Sequence, residues 1–96
     1  MVYKKKGASK IVKLASAKIE QHVQYMEGQW QGQRMLEGIE KTTYKSLDGA
    51  ITAKQALIDN FENVFGFSRS MEIPDNNYAF NLGMLDFLLK AKEDEK

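Results

Sequence analysis

Between Ser9 and Trp30 the apolar residues recur at helical spacing. At about 100° per residue, Ile11, Val12, Ala15, Ile19, Val23, Met26 and Trp30 share an arc of about 120°. Val12, Ser16, Ile19, Val23, Met26 and Trp30 step alternately by four and three, a heptad-like seam interrupted only by Ser16 and too short for a coiled coil. Ser9 suits an N-cap, because its hydroxyl can accept from an orphan N–H of the first turn. The pattern predicts a first helix from Ser9 to near Trp30, with the seam facing the core.

Gly28 and Gly32 then bracket Gln29-Trp30-Gln31. Beyond them Met35, Leu36, Ile39 and Leu47 keep helical spacing, but their stripe is rotated by about 120° from the first. One straight helix would have to bury two different faces. A kink or a turn at Gly28–Gly32 is the expected resolution. Thr42-Thr43-Tyr44 has strand-like composition and leaves room for a short extended piece.

Asp48-Gly49 marks a turn or an N-cap. Ile51, Leu57, Ile58, Phe61, Val64 and Phe65 fill an arc of about 140°, opposite Gln55, Asp59, Glu62 and Asn63, and Gly66 is placed to end that helix. Phe67 to Asn77 is loop chemistry. A last helix is expected from an N-cap at Asn77 to about Lys92, apolar over about 220° and polar only along Ala79, Gly83, Asp86 and Lys90. Such a helix needs cover on more than one side, as the centre of a bundle or as an oligomer interface. The interface residues expected on it are Tyr78, Leu82, Leu85 and Leu89.

The fold expected is therefore all-α, a small three- to four-helix bundle with a flexible basic N-terminal arm. Residues 1–8 form the arm, 9–92 one helical domain and 93–96 a frayed charged tail. The chain has 96 residues, 43% of them hydrophobic and 28% charged, which allows one modest core and argues against disorder. No apolar run is long enough to span a membrane, no signal-peptide core is expected after the first lysines, and the absence of Cys removes disulfides and thiolate chemistry. A cytosolic chain is the expectation.

Charge is unevenly spread. Residues 1–18 carry six lysines and no acid, so the remaining chain holds the excess of acid within a net charge of +1. Lys4, Lys5, Lys6, Lys10 and Lys13 are the candidate phosphate contacts of a nucleic-acid-associated protein, with nonspecific and salt-sensitive binding. Three adjacent lysines fall short of the longer basic runs that usually signal nucleic-acid binding, and a solvated terminus explains them as well.

Candidate chemistry is sparse. His22, the only histidine, lacks a second ligand one turn away, since positions 18 and 26 are Lys and Met. Glu37 with Glu40 and Lys41, and Asp59 with Glu62, have the spacing of solvated helix faces rather than of an acid–base pair. Asp75-Asn76-Asn77 starts like a calcium loop, but the alternating ligands fail at Ala79. Phe65-Gly66-Phe67 faintly resembles the aromatic motif of RNA-recognition domains, at a helix end instead of in a strand. No metal, cofactor or small-molecule substrate is implied.

Trp30-Gln31-Gly32 resembles the Trp-x-Gly turn of the small secreted helical-hairpin proteins named for that motif, where it joins two antiparallel helices. This chain departs from that pattern in two ways. Gly66, Pro74 and the Asn pair interrupt the second half, and the family's C-terminal Tyr-x-x-x-Asp/Glu signal is matched only mid-chain, by Tyr44 and Asp48. The functional expectation is a nonenzymatic protein-interaction module, an adaptor, inhibitor or assembly protein, self-associating through its last helix. Its partner is a protein or a second copy, with nucleic acid as the alternative and no membrane.

Overall fold

Local capping chemistry sets where each helix starts. In the computed structural model, which describes residues 19–72 and 74–95, a 3-10 turn at Ile19–Gln21 leads to His22, whose backbone is extended (ψ 138°). The His22 Nδ1 accepts from the Gln24 amide at 3.0 Å, which caps helix α1, Val23–Glu37. A second 3-10 turn, Ile39–Lys41, follows. Ser46 then caps α2, Leu47–Phe65, by accepting from the Gly49 amide at 3.1 Å. Asp75 caps α3, Asn76–Asp94, by accepting from the Tyr78 amide at 2.9 Å. Gly66 ends α2 in the left-handed region (φ 75°), where L-residues with a side chain are strained.

Every regular element among the described residues is helical, with no strand among them. Thr42 has extended backbone, and its hydroxyl donates to the Ile39 carbonyl and accepts from the Tyr44 amide, so the Thr42–Tyr44 segment is a connection. The last helix starts two residues earlier than a cap at Asn77 implies, because the Asp75 carboxylate supplies the cap. The helix expected to run unbroken to Trp30 is instead interrupted at His22 and continues to Glu37. Its start at Ser9 lies outside the described residues, as does the basic arm.

Helix α3 is the centre. Both α1 and α2 pack against it, while α1 and α2 scarcely touch each other. One cluster joins Ile19, Tyr25, Ile58, Tyr78, Ala79, Leu82 and Leu85, ringed by Ile51, Phe61, Phe67 and Met71. A second joins Leu47, Ala50 and Leu88 to Met35, Leu36, Ile39 and Tyr44 at the far end. The wide apolar girth of α3 is thus matched by a neighbour on each of two sides.

Neither a turn nor a break occurs at Gly28–Gly32, which lie inside α1. The two glycines are the surface by which α1 meets α3. A methyl group on Gly28 would collide with the Phe80 carbonyl oxygen, and one on Gly83 with the Tyr25 carbonyl oxygen. On Gly32 it would stand 3.1 Å from the Phe87 Cβ. The strip Ala79, Gly83, Asp86 and Lys90, read as the polar side of the last helix, is largely this contact: Ala79 and Gly83 are buried, Asp86 is half-buried, and Lys90 alone is exposed.

Candidate functional site

Helix α1 has two apolar faces, and among the described residues only one is packed. Tyr25, Gly28, Gly32, Met35 and Leu36 centre on the side that packs against α3. Val23, Met26 and Trp30 lie roughly opposite. No described element covers them, and they are 63%, 57% and 54% exposed. These are the last three residues of the predicted seam, and among its described residues Ile19 alone enters the core. The Arg34 guanidinium carbon sits 4.9 Å from the Trp30 ring centroid, a cation–π contact one turn along the same ridge. Glu27, Gln33, Arg34 and Glu37 border the stripe and are all exposed.

The residues expected at an interface on the last helix do not form a surface. Tyr78, Leu82 and Leu85 are 0%, 1% and 2% exposed inside the core between α1 and α2, and Leu89 alone is exposed, at 40%. The correction has a simple cause: two neighbours cover α3, and periodicity on one helix does not reveal how many neighbours it has. Lys4, Lys5, Lys6, Lys10 and Lys13 lie outside the described residues.

A polar network holds the other face of the α1–α3 pair. Tyr25 donates to Asp86 Oδ2 at 2.6 Å, and Arg69 from the α2–α3 loop grips the same carboxylate through both terminal nitrogens at 2.9 and 2.6 Å. Glu20 adds a looser partner to Arg69 at 3.7 Å. Tyr78 donates to Glu62 at 2.6 Å. Burial first, and the hydrogen bond to a carboxylate second, hold both tyrosine hydroxyls above their ordinary pKa. The hydrogen bonds that Arg69 donates to Asp86 hold its own pKa above the ordinary value as well. Beside Tyr25 and Asp86 opens a cleft of about 410 Å³, walled by Gln29, Phe87, Lys90 and Ala91. The Asp86 carboxylate in its wall already accepts from Tyr25 and twice from Arg69, which makes Asp86 a structural tie joining two helices and a loop.

The remaining sequence candidates are structural too. His22 and Asp75 cap helices, Asp59 accepts from Gln55 one turn away, and Lys41 falls beyond the end of α1, out of helical register with Glu37. Among the described residues, no group of three His, Cys, Asp or Glu side chains could hold a metal ion. No helix is long and apolar enough to cross a membrane among the described residues. Comparison with protein-family models, with curated proteins and with solved structures gives no match. The Trp-x-Gly resemblance fails at the level of the fold, since Trp30 to Gly32 are mid-helix.

The sequence reading missed two things. Gly28, Gly32 and Gly83 carry the helix contact, yet glycine adds nothing to a hydrophobic pattern; their four-residue spacing in α1 was the available signal. Arg69, Asp86 and Tyr25 come from three separate elements, and no local signal links them.

Proposed function

We propose that the protein is a nonenzymatic protein-interaction module that docks on a protein partner through the outer face of α1. One observation carries this reading: Val23, Met26 and Trp30 form a continuous apolar stripe, exposed by more than half, on a helix already anchored through its opposite side. Scattered exposed apolar residues need no explanation, but an aligned row bordered by charge is the form a docking surface takes. Trp and Arg are also the residue types that dominate binding energy at interfaces, and here they are stacked on each other. Helix α3 is occupied by the core, so the role expected of its apolar face passes to α1.

The test is a photo-crosslinking amino acid at position 30, compared with one at the exposed Ala56 on α2, in the cell that makes the protein. A discrete protein adduct from position 30 that position 56 does not give, lost when Val23→Glu is added, is the expected result. Equal adducts from both positions overturn the reading.

A further inference from the structure

We infer that the occupant of the outer face of α1 is a second copy of the chain, crossing antiparallel at Trp30. This rests on the reading of that face as a docking surface and names its partner. A two-fold interface is self-complementary, so if one residue touches a second across it, the second touches the first in return. With the axis beside Trp30 and Gln31, position 27 of each copy meets position 34 of the other. Those positions hold Glu27 and Arg34, exposed, opposite in charge, and on the same flank of the stripe. Neither forms an ion pair with another described residue. A parallel two-fold pairing would instead set this flank against the partner copy's other flank, which holds Met26 and Gln33, and would join neither charge to an opposite one.

Packing agrees with the charges. Met26, Trp30 and Arg34 make an i, i+4 ridge, the unit that interdigitates in the commonest helix crossings. In the antiparallel register the two Trp30 rings meet near the axis, and Met26 of each copy lies against the aliphatic stem of the partner copy's Arg34. Stacking on Trp30 already holds that stem along the ridge. A contact of two or three helical turns is at the small end of specific interfaces, so the dimer is weak and reversible.

The decisive experiment is sedimentation equilibrium of the whole chain at low salt, over a concentration series reaching millimolar. It compares wild type, Glu27→Arg, Arg34→Glu and an equimolar mixture of the two variants, with circular dichroism to verify that each is folded. In each pure variant, both cross-axis pairs become like-charged. In the mixture both pairs are opposite again, but only between unlike copies. Wild type is expected to dimerise, each pure variant to do so about tenfold or more weakly, and the mixture to recover the wild-type constant as a heterodimer. Wild type that stays monomeric throughout overturns the second copy as occupant, as do variants that dimerise like wild type or a mixture that fails to recover. A monomeric wild type that still yields a specific adduct to another protein from position 30 leaves the docking surface standing and removes only this inference.

Discussion

Gly28 sets the distance between α1 and α3 by the side chain it lacks. Alanine there would gain helix propensity, worth up to about 1 kcal/mol, but would drive its Cβ into a backbone oxygen of α3 that cannot rotate away. Overpacking of this kind wins, and Gly28→Ala is expected to cost about 2 kcal/mol in urea unfolding. Gly38→Ala, with nothing within 4 Å of the new Cβ, should stay within about 0.5 kcal/mol. The tyrosines make a second residue-scale prediction. In the unfolded chain Tyr25 and Tyr78 release their protons near the ordinary value of about 10, whereas in the folded chain burial and a carboxylate neighbour keep them protonated to higher pH. A raised folded pKa contributes stability that is complete below the unfolded value and lost as pH climbs through the folded one. Melting temperature should therefore fall as pH rises above about 10, and Tyr25→Phe with Tyr78→Phe should flatten that fall. A melting temperature equally steep in the double variant would assign the alkaline loss to other groups.

At the scale of the element, α1 shows what a hydrophobic pattern can and cannot say. Two stripes on one helix were visible in the sequence, and the conflict between them was real. Bending the helix at its glycines was one solution. In the structure the helix continues through the glycines, burying their side and leaving Val23, Met26 and Trp30 outside. Counting apolar side chains points the wrong way here, because close backbone approach buries surface without side chains to count. The α2 pattern was read more directly: Ile58 is buried, Ile51 and Phe61 half-buried, and Gly66 stops the helix as its position implied. Val64 and Phe65, on the same predicted arc, are 64% and 60% exposed at the helix end, beyond the reach of α3 packing. The orientation of α1 yields a sharp contrast between two large apolar residues. Trp30→Ala should change unfolding free energy by less than about 0.5 kcal/mol, as expected for a surface site. Leu82→Ala, fully buried on α3, should cost about 2–5 kcal/mol. A loss of that size at Trp30 in the isolated monomer would mean that the seam faces inward after all.

For the molecule as a whole, the helical class was legible, and so was the need of α3 for cover on more than one side, because it is apolar over too much of its circumference for a surface helix; periodicity did not choose between a bundle centre and an oligomer interface. Which helices border it was not, since that depends on Gly28, Gly83 and an Arg69–Asp86 contact 17 residues apart in sequence. The distribution of charge is the remaining whole-chain feature. A net charge of +1 conceals six lysines in residues 1–18 and an acidic remainder, so long-range attraction of a polyanion has to come from the first residues alone. Docking through α1 and phosphate contact through those lysines are separable, because they use different parts of the chain. Any binding to duplex DNA or RNA should be independent of sequence, fall steeply between low and physiological salt, and vanish when residues 1–8, with Lys4, Lys5 and Lys6, are deleted. The same deletion should leave the melting temperature and the Trp30 emission of the helical body unchanged. Fluorescence anisotropy with a labelled duplex, titrated at several salt concentrations, checks both the slope and the deletion. Binding that survives the deletion would have to rest on Lys10, Lys13 and Lys18 or on the acidic remainder, and would remove Lys4, Lys5 and Lys6 as the source of affinity.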